Sequence, residues 1–463
     1  MSSQVTGPTV QHVHIVGIGG KGMSAIGAAL LDLGKTVSGS DLKPSPQSDR
    51  LQRRGANIAL GHSARNIANA DMVIHSSAIP SNNPELAAAH AAGVTVRSRA
   101  EAVAALFNAR RGIAVAGTHG KTTTSALTAT ILESAGLAPS FLIGADIPSL
   151  GGVNGRIGVG AWMVLEADEF DNAFLSYRPR IAVLTHLEAD HLDYFGSVDR
   201  MVSAFEHFVD DLPINATLIA RRDVPLLRRV AERHTGEVIW FGPGGDWQID
   251  HYRKGSPGPT LDVSGPGGQL VLHLPMPGPH NALNAMAALA AATLAGVDAI
   301  EAAQALESFT GAERRLELRA REHGVSLFED YAHHPTAVRA SLQAVRELQP
   351  QRVLVVYQPL LASRTRDLFD DFLEAFADAD QVLLADIYSP PGREGPVGVS
   401  SRDLASAIRH ANTEALSSFD EIFDRLIAEA RAGDIVLVMG PESVTPLVDR
   451  LATSMRQRSF AWT

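Results

Sequence analysis

The sequence predicts an α/β protein of three domains, and three observations carry that expectation. Apolar runs of strand length alternate with Ala-rich, helix-like stretches from end to end, the pattern of strand–helix units around parallel sheets. Two glycine-rich turns, at residues 17–22 and 117–120, each stand between a strand-like run and a helix-like one. A chain of 463 residues also exceeds what one hydrophobic core holds, so about three domains are expected.

The second turn organises the chain. Ile113–Ala116 reads as a buried strand, Gly117-Thr118-His119-Gly120 as a turn, and Lys121-Thr122-Thr123-Thr124 as the opening of an amphipathic helix. Backbone N–H groups and the helix dipole make such a start an anion site. The glycines permit close approach, Lys121 can reach outer phosphates, and the Thr122 hydroxyl can hold Mg²⁺. Only two residues separate Gly117 from Gly120, where the usual phosphate loop has four. The central domain is therefore expected to be of P-loop ATPase type, with a mostly parallel sheet.

The N-terminal stretch begins with a short strand, then Gly17-Ile18-Gly19-Gly20-Lys21-Gly22, then a helix to Leu33. Thr36–Gly39 leads to Asp41, so G-x-G-x-x-G is followed by an acid about 20 positions on. The pattern predicts a diphosphate-binding, Rossmann-like domain rather than NAD binding as such. Met72–His75 runs into Ser76-Ser77-Ala78-Ile79-Pro80, and helices over Pro84–Ala92 and Ala100–Phe107 complete residues 1–108.

In residues 109–312, Trp162–Leu165 runs into Glu166-Ala167-Asp168-Glu169-Phe170-Asp171, and Ile181–Thr185 into His186-Leu187-Glu188-Ala189-Asp190-His191. Acids and a histidine just past two strand ends, downstream of a phosphate loop, are where Mg²⁺ ligands belong. Residues 242–280, rich in Gly and Pro, predict β-hairpins. Gly278-Pro279-His280-Asn281 then opens a helix, with Asn284 one turn on; His280 and Asn281 as its caps is the alternative.

Residues 313–463 carry Arg314-Arg315, Val325–Phe328 leading to Glu329-Asp330-Tyr331-Ala332-His333-His334-Pro335-Thr336, and further strands at Arg352–Tyr357, Val382–Ala385 and Asp434–Met439. A third, Rossmann-like parallel sheet is expected. Adjacent His333 and His334 lack H-x-x-x-H spacing and are not read as a zinc site.

Composition narrows the function. The chain is 45% apolar and 20% charged, with a net charge of −11 and no dense Lys/Arg stripe, which argues against nucleic acid as a partner. Without cysteine there is neither disulfide nor thiolate chemistry. Met1–Gln11 lacks a signal-peptide pattern, and Ala285–Val297 is too short to span a bilayer, so a cytoplasmic protein with no membrane partner is expected.

GTHGKTTT, the EADE…EADH pair and the series PGPHNALNA…ERRLE…DYAHHPT together resemble the Mur ligase family, ATP-dependent amide-bond ligases that build the peptidoglycan peptide. The resemblance covers nearly the whole chain. It implies that the first domain binds UDP-N-acetylmuramate, the second ATP and metal, and the third an incoming amino acid or peptide. Gly17, Gly19, Gly20 and Gly22 would cradle the UDP diphosphate, helped by Ser76, Ser77 and His62. Gly117 to Thr123, with Lys121 foremost, would hold the ATP phosphates. Two Mg²⁺ ions (or Mn²⁺) are implied, on Thr122, on Glu166 or Glu169, and on His191. His280, Asn281 and Asn284 would face the adenine and Asp330 the ribose, while Arg314 or Arg315 reaches the transferring phosphate. His333 would meet the amine as base or contact, with Arg364 near the substrates. The muramyl carboxylate would form an acyl phosphate that the amine then attacks.

GIGGKGM, GSD and SSAI favour L-alanine as the amine, whereas EADEFDNAF and RRLE look closer to relatives that attach the L-Ala-γ-D-Glu-diaminopimelate tripeptide. Leu360-Leu361 stands where L-alanine ligases usually have His-Arg, and MGPESV (Met439–Val444) replaces a Gly-Ala-Gly-type turn. No lysine lies between Leu192 and Tyr252 to serve as the carbamylated lysine of some relatives; Glu206 is the substitute considered. An NAD-dependent dehydrogenase and a non-catalytic UDP-sugar-binding paralogue are the other classes, and a monomer or homodimer is expected.

Overall fold

A computed structural model describes Val5, Gly7 and residues 9–390, 397–409 and 412–457. The opening stretch weighed as a signal peptide thus lies partly outside the described residues. The N-terminal sheet is wholly parallel, ordered Asn57–Leu60, Thr36–Asp41, His12–Val16, Met72–His75, Thr95–Ser98. Its order reverses at His12–Val16, so the glycine turn after that strand opens into the crevice where such sheets bind ligands.

The central sheet runs Val238–Phe241, Thr217–Arg221, Ile181–Leu184, Arg111–Ala116, Trp162–Glu166, Ser140–Ile147, Val153–Arg156, and only the last strand is antiparallel. Arg111–Ala116 is central and buried from Gly112 on. Its neighbours are the strands that lead to Glu166 and to His186–His191, so three loops converge at one sheet edge. A three-stranded antiparallel sheet, Gln248–Arg253, Thr260–Gly265 and Gly268–His273, accounts for the Gly/Pro-rich stretch.

The helix Lys121–Ser134 corrects an expectation. It is not amphipathic: Thr122 through Leu132 are all buried. The helix lies between the central sheet and the Ala-rich helix Pro279–Leu294, whose small side chains allow close packing. Thr128 Oγ1 donates to the Thr124 carbonyl at 2.8 Å, while Thr124 Oγ1 donates to Asn284 Oδ1 at 3.4 Å and Thr130 Oγ1 meets Ser149 Oγ at 3.1 Å. The third sheet also differs from a wholly parallel one. Glu317–Glu322 pairs antiparallel with Val325–Asp330, and Ile435–Met439, Val353–Tyr357, Gln381–Leu384 and Asn412–Ala415 follow in parallel. The two-residue link at His323-Gly324, both at positive φ, makes a hairpin in a sheet expected to be parallel.

The N-terminal part seats on the central part through the helix Lys21–Asp32. Gly155 is required there, because a β-carbon would lie 2.8 Å from the Ala25 carbonyl oxygen. Asn154 donates to the Lys21 carbonyl at 2.9 Å, and Lys21 Nζ pairs with Glu313 at 2.8 Å. Among the described residues, no helix is long and apolar enough to cross a membrane.

Glu85 is fully buried at the heart of the N-terminal part. It accepts from Ser40 Oγ at 2.6 Å, Asn66 Nδ2 at 2.6 Å and the Ser63 N–H at 3.2 Å, with His62 Nδ1 at 3.2 Å. Burial pushes its carboxyl up, but the His14 imidazole and these donors outweigh it, bringing the pKa from 4.5 down to about 2. A depressed carboxyl stabilises the fold above the unfolded value, and that stability fades as pH falls toward the folded value. Glu85→Gln is therefore expected to lower the melting temperature at pH 7 and to flatten its fall between pH 4.5 and about 2. Thermal scans across that window, wild type against variant, test it.

Candidate active site

Gly117 and Gly120 shape the loop. Gly117 has φ +132°, and a β-carbon there would sit 2.4 Å from Thr185 Oγ1; Gly120 has φ +82°, and its β-carbon would lie 2.4 Å from Asn284 Oδ1. Only glycine fits either position. Lys121 folds back over the turn, donating to the Gly117 carbonyl at 2.6 Å and to Glu169 Oε1 at 2.9 Å. Burial pulls the ammonium's pKa down, but Glu169 and Asp168 beside it raise it further, so Lys121 keeps its charge.

Thr122 Oγ1 donates to Glu166 Oε1 at 2.9 Å, and the Gly144 N–H holds Glu166 Oε2 at 2.6 Å. Of the two alternative carboxylates, Glu166 lines the central cavity of about 480 Å³, whereas Glu169 is fully buried behind Lys121. His191, at φ +50°, also lines the cavity; its Nε2 is 4.0 Å from Glu169 and its buried Nδ1 has no partner among the described residues.

Across the loop, His280, Asn281 and Asn284 line the same cavity, with Phe241, Met276 and Leu283 as an apolar wall. Neither His280 nor Asn281 caps its helix. Asn281 Nδ2 donates outward to the Pro277 carbonyl at 2.8 Å, and Gly278 holds the cap position without a side-chain bond. Burial brings the His280 pKa down to about 4. Asp330, buried at the end of its strand, accepts from Ser341 Oγ at 2.7 Å and faces the cavity.

The arginine pair divides. Arg315 Nη2 donates to Thr122 Oγ1 at 2.8 Å, reaching across to the phosphate loop. Arg314 turns the other way, at φ +58°, into a buried bond with Glu329 Oε1 at 3.0 Å and the Gly440 carbonyl at 2.8 Å. Arg314 is thus a strut, and the expectation that it reaches the phosphate is corrected. The unusual MGPESV turn supplies that carbonyl, and Glu442 lies 3.2 Å from Arg314.

His333 is half-buried. Its Nδ1 donates to the Tyr331 carbonyl at 2.7 Å, leaving Nε2 as a lone pair, and burial and then Arg364 hold the ring well below its usual pKa. Arg364 Nη2 binds Asp190 Oδ1 at 2.6 Å. Leu360 and Leu361 line this end of the cavity, Leu361 at φ +67° with its N–H on the Tyr388 carbonyl. Glu206 lies elsewhere, paired with Arg229 at 3.0 Å, and the idea that it replaces a site lysine is corrected.

Gly17, Gly19, Gly20, Gly22, Ser76, Ser77 and His62 do not line this cavity. They gather at the N-terminal sheet edge, where a β-carbon on Gly17 would be 3.7 Å from Ser76 Cβ. His62 is tied to Ser40 at 2.9 Å and to Glu85. Asp41 accepts the Gly19 N–H at 2.9 Å instead of standing free for a ribose. Arg99, which no motif singled out, joins the two regions: it lies 3.2 Å from a β-carbon placed on Gly22 and pairs with Asp168 at 3.6 Å.

Three sequence profiles cover this architecture: "Mur ligase family, catalytic domain" matches residues 12–111, "Mur ligase middle domain" residues 115–292, and "Mur ligase, glutamate ligase domain" residues 314–441. The chain belongs to the Mur ligase family. Among Mur ligases it is 41% identical to UDP-N-acetylmuramate–L-alanine ligase of Symbiobacterium thermophilum, over 97% of this chain and 96% of that one. It is 44% identical to the Paenarthrobacter aurescens protein of the same name, over 96% and 97%. In three dimensions it resembles UDP-N-acetylmuramate-alanine ligase from Thermotoga maritima, with a TM-score of 0.82 and 25% identity over 96% of this Mur ligase and 99% of that chain. A murein peptide ligase from Psychrobacter arcticus gives a TM-score of 0.71 and 28% identity, over 96% and 98%. These likenesses do not favour a dehydrogenase.

Proposed function

We propose that this Mur ligase joins L-alanine to UDP-N-acetylmuramate at the expense of ATP, the first peptide step of peptidoglycan synthesis, in the cytoplasm. Residues 1–108 hold the UDP-sugar, 109–312 hold ATP and metal, and 313–463 hold the amine. The observation that carries the reading is Arg315 from the C-terminal part meeting the Thr122 hydroxyl of the phosphate loop, in a chain 41% identical along nearly its whole length to an L-alanine ligase.

The cavity fits ATP and Mg²⁺ on its own terms. The loop glycines leave no room for a β-carbon, and His191 Nδ1 and His280 Nδ1 are buried without partners among the described residues. Thr122, Glu166 and His191 would hold the metal, which supplies charge neutralisation on the phosphates. Lys121 and Arg315 bind the phosphoryl group being transferred to the muramyl carboxylate, so that catalysis is positioning and electrostatics. Asn281 and Asn284 orient the base, and Asp330 takes a ribose hydroxyl. His333, kept neutral, accepts a proton at Nε2 from the amine that attacks the acyl phosphate. Arg364, anchored on Asp190, orients the acceptor, and the buried Leu361 with Leu360 keeps that end apolar enough for a methyl side chain. The N-terminal glycine turn, with Ser76 and Ser77, takes the diphosphate.

The test is ADP release with ATP, Mg²⁺ and UDP-N-acetylmuramate, comparing L-alanine, L-serine, glycine and the tripeptide. L-alanine is expected to give the highest kcat/KM. Turnover with the tripeptide alone would make this a peptide-recycling ligase and overturn the acceptor assignment.

A further inference from the structure

A second group of metal-binding side chains lies in the cleft, drawn from three separate stretches. His119 is in the phosphate loop, Glu188 follows the strand Ile181–Leu184, and His334 precedes the helix Pro335–Glu347 of the C-terminal part. One donor atom from each lies within 4.8 Å of the others. Glu188 Oε1 faces both rings, in close contact with His119 Nε2 and 3.3 Å from His334 Nδ1. The ring centres are 4.9 Å apart. Two imidazole nitrogens and a carboxylate oxygen make a donor set for zinc-type ions, whereas Mg²⁺ prefers oxygen throughout.

The group also has the outer partners of a built site. A ligating histidine usually gives its other N–H to a carbonyl or carboxylate. His334 Nε2 donates to the Ala189 carbonyl at 3.1 Å, which leaves Nδ1 unprotonated and facing the carboxylate. Thr336 Oγ1 donates to Glu188 Oε2 at 3.0 Å, turning Oε1 toward the rings. His334 Nδ1 accepts the Thr336 N–H at 3.3 Å as the cap of that helix, a long bond that a cation would replace. His186 lies 5.6 Å from His119 between ring centres. His119, His186 and His334 line the cavity, so a further coordination position is open to it.

We propose that His119, Glu188 and His334 bind one zinc-class divalent cation, at a position separate from that of Thr122 and Glu166, and that this ion fastens the phosphate loop to the C-terminal part. Adjacent histidines in sequence give no hint of it, because the partners of His334 come from 146 to 215 residues away along the chain. The inference does not depend on the ligase reading, since its test contains no nucleotide or sugar.

The test titrates the full-length protein in excess Mg²⁺ with Co²⁺, following visible absorption, and then adds Zn²⁺. One equivalent of Co²⁺ is expected to give the ligand-field bands of a four-coordinate site, and Zn²⁺ to erase them. Glu188→Gln is expected to abolish the bands. Thr336→Val keeps all three ligands and is expected to weaken Co²⁺ about 10-fold, a graded loss that misfolding would not give. Glu166→Gln is expected to leave the bands unchanged. Absence of bands in the wild type, their persistence in Glu188→Gln, or their loss in Glu166→Gln would overturn the proposal.

Discussion

Lys121→Ala is expected to lower ADP formation by about 10³-fold while leaving UDP-sugar affinity largely unchanged. Removing one preorganised charge from a developing transition state costs on that order. Sugar binding is spared because the glycine turn at Gly17–Gly22 lies outside the cavity that Lys121 lines. The variant carries a second effect that must be separated from the first. Glu169 is fully buried against Lys121 at 2.8 Å, and deleting the ammonium leaves that carboxylate without its counter-ion. Breaking a buried pair from one side costs about 3–5 kcal/mol. Adding Glu169→Gln to Lys121→Ala is therefore expected to recover much of the melting temperature and none of the turnover. If the double variant regained turnover, Lys121 would be structural. If sugar affinity fell in step with turnover, the division of the two sites would be wrong.

The same lysine shows what a single sequence carries. A phosphate loop is local: strand, glycine turn and helix start lie within a few residues, and the φ values that demand glycine follow from the turn itself. Gly117, Gly120, Lys121 and Thr122 were legible for that reason. So was their convergence with Glu166 and His191, because parallel sheets bring their strand ends to one edge. The choice between Glu166 and Glu169 was not. They stand three positions apart after one strand, and only the fold puts Glu166 on the cavity wall and Glu169 in a fully buried place against Lys121. The burial of the helix Lys121–Ser134 was hidden too, since its threonines read as a polar face and become core through bonds that sequence does not show, Thr128 to its own backbone and Thr122, Thr124 and Thr130 to side chains of other elements.

Long-range pairs leave even less trace. Arg364 meets Asp190 across 174 residues, and Arg99 meets Asp168 from the first turn of a helix that looked purely structural. The strand Glu317–Glu322, and with it the hairpin to Val325–Asp330, was missed because it carries alternating charge, Glu317, Arg319, Arg321, and so lacks the apolar run that marks a buried parallel strand.

Arg315→Ala is expected to lower kcat by about 10³-fold with a stability change under about 1 kcal/mol, and Arg314→Ala to do the reverse. The residues are neighbours of the same type, so their difference rests wholly on direction. Arg315 crosses to Thr122 Oγ1 over a separation of 193 residues, which places a guanidinium beside the hydroxyl proposed to hold metal. Its fork suits a phosphoryl group, and Arg315→Lys is expected to restore little, because one compact ammonium does not reproduce that geometry. Arg314 is only 3% exposed and its partner Glu329 is fully buried. Truncating it leaves buried Glu329 with Arg319 and the Thr445 hydroxyl and empties a buried site, and is expected to cost about 3 kcal/mol, with kcat of the folded fraction near wild type. Denaturant melts and single-turnover phosphoryl transfer on both variants separate the roles. A stable, inactive Arg314→Ala would reverse the assignment, and with it the view that the MGPESV turn, through the Gly440 carbonyl, serves to hold Arg314 out of the cavity.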